Sequence, residues 1–279
     1  MKKLLLLITI IFLFTGCSRN EFEVGYGSNL LVKSDRDKLK TIFEKNDIQN
    51  TQLFFSWLGD FNKENDNGCG LSNWKKIDKL KYDDGKCLDR YEKNHKYSDG
   101  NCRITAFTLI QDHMSMKKTL QANSDYLMFD IDVIENNNNY KNVKENLEIF
   151  ITLFDAIELS DIENKEEIFP NKWEEYQIKI KDGDLSLISI VMHDKYEKRL
   201  FIGHTGVLIK NNEKYLFIEK IAFEQPYQIS VIKEKKDLLR IFNTRDTYFE
   251  DEKDKPLVYE NDKLLGQLSK KVKRWNIKK

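Results

Sequence analysis

Three side chains, Cys102, His204 and Glu219, have the chemistry and the sequence settings of a nucleophile, a base and an orienting carboxylate. Cys102 follows Ser98-Asp99-Gly100-Asn101 and precedes apolar Ile104, Phe107, Ile110 and Met114 at helical spacing. It therefore falls in the first turn of a helix, with Asn101 as N-cap. The unpaired N–H groups and the macrodipole at that end favour an anion, so they lower a thiol's pKa and raise its thiolate fraction. His204 lies in Phe201-Ile202-Gly203-His204-Thr205-Gly206-Val207-Leu208-Ile209, a strand whose glycines permit close approach of another backbone. An imidazole beside a thiolate serves as general base and then as general acid to the leaving group.

Glu219 follows from hairpin geometry. A two-residue turn at Asn211-Asn212, where Asn tolerates positive φ, sets Glu219 directly opposite His204. A four-residue turn moves it to a diagonal position on the same face. In both registers a carboxylate accepts the imidazole N–H and holds the ring, the third role of a triad. Each residue alone also has a plain structural reading: a small buried thiol, a satisfied sheet histidine, and a surface carboxylate paired with Lys220. Arg103, Gln225 and Tyr227 are the candidates for substrate contact, and the Cys102 backbone N–H for part of an oxyanion site.

Other constellations are weaker. His95, His113 and His193 have no spacing that gathers a metal with the cysteines. Asp130 and Asp132, in Leu127-Met128-Phe129-Asp130-Ile131-Asp132, read either as a cation site or as exposed carboxylates alternating along a strand. There is no phosphate loop, serine nucleophile elbow or dinucleotide fingerprint, so no cofactor is expected. Cys69 and Cys87 lie in a Gly/Asp/Asn-rich stretch that suits a loop-closing disulfide, which leaves Cys102 free. The sequence also allows Cys69 to pair with Cys102, which would disable the nucleophile.

The elements that must position these residues form an α+β pattern. Residues 17–34 read as a tether and entry strand, and residues 35–279 as one domain. Helices are expected from Asp35, over Leu53–Phe61, and from Cys102, with residues 62–101 rich in loops. A long helix is expected over 140–154, and another around Pro170 with the proline near its start. From Leu185 the pattern changes to strands: 185–192, 200–210, 214–223 and 227–233. A helix at 236–242 and an extended tail at 257–259 follow. Helices first and neighbouring strands later is the order of an α+β protein with an antiparallel sheet.

The N-terminus reads as an export signal. Lys2 and Lys3, an apolar run from Leu4 to Phe14, and Phe14-Thr15-Gly16-Cys17 have the shape of a signal peptide over residues 1–16. The last four resemble the lipobox of bacterial lipoproteins, which implies lipid on Cys17. The expected location is the outer face of the cytoplasmic membrane, or the outer membrane in a Gram-negative cell. Without Lys2 and Lys3, 44 of the 46 basic residues remain against 46 acidic ones, a net charge of −2. That balance argues against nucleic acid as a partner.

Two resemblances add to this reading. Ser28-Asn29-Leu30, Asn101-Cys102-Arg103-Ile104-Thr105, Phe129-Asp130, Leu200-Phe201-Ile202-Gly203-His204, Leu216-Phe217-Ile218-Glu219-Lys220, Pro226-Tyr227-Gln228 and Glu260-Asn261-Asp262-Lys263-Leu264-Leu265 resemble an uncharacterised bacterial lipoprotein family, domain of unknown function 4300. More distantly, Cys102 opening a helix, His204-Thr205-Gly206-Val207 in a strand and Phe217-Ile218-Glu219 in the next are similar to the core of NlpC-type cysteine peptidases. That resemblance implies a papain-like fold, with the nucleophile's helix packed on an antiparallel sheet and extra helices before it. It also implies cleavage of a peptide or amide bond, often in cell-wall peptidoglycan. Asn101 stands where that family usually has Asp, Arg103 where a small residue is common, and Glu219 where His is frequent.

Overall fold

The computed structural model describes residues 22–64, 69–71, 73–94, 99–121, 124–159, 164–248 and 255–269. The expected signal peptide, residues 1–16, and the lipidation candidate Cys17 lie outside them, as does His95. Nine α-helices occur among the described residues: α1 (Lys33–Lys45), α2 (Thr51–Glu64), α3 (Asp84–Asn94), α4 (Cys102–Ile110), α5 (Met128–Asn136), α6 (Lys141–Lys144), α7 (Leu147–Phe154), α8 (Lys165–Glu175) and α9 (Asp237–Phe242). The strands are β1 (Tyr26–Ser28), β2 (Lys75–Lys76), β3 (Met114–Ser115), β4 (Ile157–Glu158), β5 (Lys179–Ile180), β6 (Leu185–Asp194), β7 (Arg199–Asn211), β8 (Lys214–Lys220), β9 (Tyr227–Ile232), β10 (Leu257–Glu260) and β11 (Lys263–Gln267). The chain is α+β, as the sequence order predicts.

The main sheet runs β11-β10-β6-β7-β8-β9-β1-β2, with β4 also on β7, and its pairs are antiparallel. Strand alternation divides its side chains between two cores. Val207, Ile209, Leu216, Ile218, Ile229 and Val231 join the core that contains α4, α2 and α7. Ile188, Ile190, Leu208, Phe217 and Ile232 pack with Leu238, Ile241 and Phe242 of α9 on the other face. The α4 helix is mostly apolar and is buried from Ile104 to Ile110 on every face, with Thr105 and Thr108 among its buried residues.

Several local expectations change. The β7–β8 turn is Asn212-Glu213, with Asn212 at φ 58°, rather than Asn211-Asn212. Residues 127–132 are not a strand: α5 begins at Met128, and Asp130 is buried by a salt bridge. The loop-rich stretch contains α3. The long helix of 140–154 is broken at Glu145-Asn146 into α6 and α7. Pro170 lies in the interior of α8, not near its start. The tail is a hairpin, β10 with β11. The entry strand expected before residue 35 is β1, which pairs with β9, and Leu30 after it is fully buried.

Candidate active site

Asn101 builds the helix end that presents the thiol. Its backbone is extended (φ −90°, ψ −164°), and its Oδ1 accepts the N–H groups of Arg103 and Ile104 at 2.9 and 3.3 Å. The Cys102 N–H lies outside those two bonds. The Asn101 amide also donates to Asp130 Oδ1 at 2.7 Å. Arg103 grips the same carboxylate with Nε and Nη2, at 3.1 and 2.7 Å, and donates from Nη1 to the Ile202 carbonyl at 3.0 Å. The first turn of α4 is thus tied to β7 beside His204.

The sheet opens at this point. Pairing between β7 and β8 ends at Val207–Ile218, although β7 continues along β6 to Arg199 and β8 along β9 to Lys220. The two central strands part, and the start of α4 lies against the opening. Gly206 stands at the edge: a Cβ there would lie 2.6 Å from the Ile218 carbonyl oxygen, so a larger residue would force β8 away.

His204 and Glu219 bridge the parted strands. Continued past its last pair, the β7–β8 register points Glu219 toward Gly206 rather than His204, since the observed turn shifts the register by two residues. It keeps the face of His204, and His204 Nε2 donates to Glu219 Oε2 at 2.6 Å. Nδ1 is then the ring nitrogen left for the thiol. Cys102 lies beside this imidazole and near the backbone of Thr205. Cys102 is 7%, His204 2% and Glu219 1% exposed. Cys69 and Cys87 are bonded to each other, with Cα atoms 5.1 Å apart, and Cys102 is a free thiol.

The electrostatics favour separated charge. Burial pushes the Cys102 thiol up, but His204, by charge and hydrogen bonding, outweighs it together with Arg103 and Thr205, and the net displacement is downward. Burial pushes His204 down, yet Tyr248, Cys102 and Glu219 hold it well above the ordinary imidazole value. Burial also opposes ionisation of Glu219, and the Arg245 guanidinium, followed by His204, overcomes it and holds the carboxyl at about 2. A thiol displaced down beside an imidazole displaced up favours the thiolate–imidazolium form of the pair.

Sequence reasoning missed the shell behind Glu219. Arg245 donates to both carboxylate oxygens at 2.6 and 2.7 Å, and Gln228 to Oε1 at 3.0 Å. Gln228 accepts from Tyr82 at 2.6 Å, and Tyr82 from Asn29 at 2.8 Å. These residues come from four separate segments with no shared motif. The available signals were Gln228, a polar residue in the apolar strand Tyr227–Ile232, and the place of Asn29 and Gln228 in the stretches that resemble the family.

The predicted contact residues are otherwise engaged. Arg103 is committed to Asp130. The Tyr227 ring is buried edge-on against Phe54 and Phe61, so it belongs to the core and not to a substrate surface. Gln225 is half-buried and donates to Asp84 at 2.8 Å. His113 and His193 engage Asp47 and Lys165, and the described residues contain no group of three metal-ligating side chains. A cleft of about 450 Å³ lies at the far end of α4, about 14 Å from Cys102 by helix rise. Neither His, Cys nor Lys lines it.

Fold and site define an α+β protein with a buried Cys–His–Glu cluster at a split in its sheet. The chain belongs to the family described as Domain of unknown function (DUF4300), whose model matches residues 26–265. No curated protein and no solved structure matches it.

Proposed function

We propose that this protein is an extracytoplasmic thiol hydrolase, a cysteine peptidase or amidase with a papain-like, NlpC-type core. It cleaves an amide bond in cell-wall peptide while held at the membrane by lipid on Cys17. One observation carries this reading: a free thiol in a capped helix turn lies beside an imidazole whose other nitrogen is fixed at 2.6 Å by a buried carboxylate. Cys102 Sγ attacks the carbonyl carbon, and the developing oxyanion meets the Cys102 N–H, a donor worth roughly 3–4 kcal/mol of barrier. The His204 imidazolium gives its proton to the leaving nitrogen as the C–N bond breaks. It then accepts a proton from the water that hydrolyses the thioester, which releases the acid and restores the thiolate beside an imidazolium.

The experiment is digestion of purified peptidoglycan fragments, with products followed by mass spectrometry. Release of a new amine and carboxylate by the wild type, abolished in Cys102→Ala, supports the reading. Turnover that survives Cys102→Ala refutes it. The low exposure of Cys102 favours a second reading, a binding lipoprotein without turnover. That reading predicts retained ligand affinity and no cleavage in the same assay.

A further inference from the structure

The dipeptide Glu219-Lys220 straddles the split strand, and its second residue has no part in the chemistry above. Lys220 is 0% exposed. Its Nζ donates to the Gln225 carbonyl at 2.6 Å and sits 3.3 Å from the Phe61 ring centroid and 4.6 Å from that of Tyr227. It also lies 3.9 Å from Asp99 Oδ2, three residues before the nucleophile. Asp99 is itself held: its Oδ1 accepts from Tyr140 at 3.0 Å, and its N–H donates to the Tyr91 hydroxyl. The N–H of Gly100 donates to the Tyr140 hydroxyl. The approach segment Asp99–Asn101 is thus pinned by side chains from three regions, and Lys220 is its buried cation.

Resting on the hydrolase reading, we propose that Lys220 is a positioning residue for the nucleophile. It anchors Asp99, and through it the helix turn of Cys102, on one side of β8 while Glu219 anchors His204 on the other. A charged residue without a role is costly in such a place, because an ammonium group taken from water loses its hydration. One carbonyl, two aromatic faces and a carboxylate at 3.9 Å recover only part of that loss.

Titration supplies a signature. Burial pushes Lys220 down to about 7, against the pull of Asp99 and Glu224. The other groups around it are Tyr91, Tyr140 and Tyr227, all displaced upward chiefly by burial and so neutral near pH 7. Asp60 and Glu64 of α2 act on those tyrosines. Lys220 therefore loses its charge as pH rises through the region of about 7, and its hold on Asp99 weakens with it.

The test is the rate of iodoacetamide labelling at Cys102 between pH 5.5 and 8.5, in wild type, Lys220→Met and Asp99→Asn, with melting temperatures measured alongside. The expected result is labelling slowed roughly tenfold to hundredfold at pH 6 in both variants, as for a nucleophile displaced by a fraction of an ångström. The wild-type-to-variant ratio should shrink toward one as pH rises through 7. A role in packing alone would give a ratio independent of pH, and that result overturns the inference. So do variant rates equal to wild type at every pH. Asp99→Asn, at a side chain 13% exposed, keeps the test decisive if Lys220→Met does not fold. Wild type that labels only as an ordinary thiol refutes instead the hydrolase reading on which the inference stands.

Discussion

Glu219→Gln keeps the shape of the side chain and removes its charge. The Glu219 carboxyl, fully buried, is held at about 2 by Arg245 and then His204 against the opposing effect of burial, from an ordinary value near 4.5. That depression corresponds to about 3 kcal/mol of stability at neutral pH. Removing one partner of a buried ion pair costs roughly 3–5 kcal/mol by a separate route, since Arg245 is left uncompensated. A depressed carboxyl stabilises fully above its ordinary value, and the contribution is lost as pH falls from about 4.5 toward 2. Urea unfolding followed by tryptophan fluorescence at pH 3 to 7 measures both effects. Wild type should lose stability steeply below pH 4.5. Glu219→Gln should be less stable by about 3 kcal/mol at pH 7 and lack that part of the acid slope. Adding Arg245→Met should restore part of the loss. A cost below about 1 kcal/mol at pH 7, with the acid slope unchanged, would refute the buried-pair argument.

Asn101→Ala removes the cap of α4 and the bond to Asp130, so urea unfolding should show a loss of about 1–2 kcal/mol. The thiolate absorbance of Cys102 near 240 nm should move to higher pH in the same variant. Asp130→Asn strips Arg103 of its carboxylate and should cost roughly 3–5 kcal/mol by the same assay. Reducing the Cys69–Cys87 bond, which closes a loop with a sequence separation of 18, should lower stability by about 3 kcal/mol, while the labelling rate at Cys102 stays unchanged.

The triad residues were legible because each depends on local rules. Asn101 can cap, Cys102 follows it, and alternation fixes the face of a strand residue. The turn moved from Asn211-Asn212 to Asn212-Glu213, yet moving a hairpin centre by one residue shifts the partner by two and preserves the face. Glu219 therefore reaches His204 in both registers. Asp130 was misread because acidic residues alternating with apolar ones imitate an edge strand, and nothing nearby in sequence announces Arg103 as a buried counter-ion. Arg245 and Tyr82, and the role of Asn29, were invisible for the same reason. Their partners lie across the fold, and only packing brings them together. Tyr227 shows the converse: its position beside the candidate site in sequence said nothing of its direction, which is into the core.

The central claim is that Cys102 is an activated thiolate paired with His204. The pH dependence of iodoacetamide labelling at Cys102, compared between wild type and His204→Ala, tests it most directly. The account predicts rapid labelling well below pH 8 in the wild type, slowed strongly by His204→Ala. Labelling that is absent, or that follows an ordinary thiol near pH 8.5 and ignores His204→Ala, would contradict it.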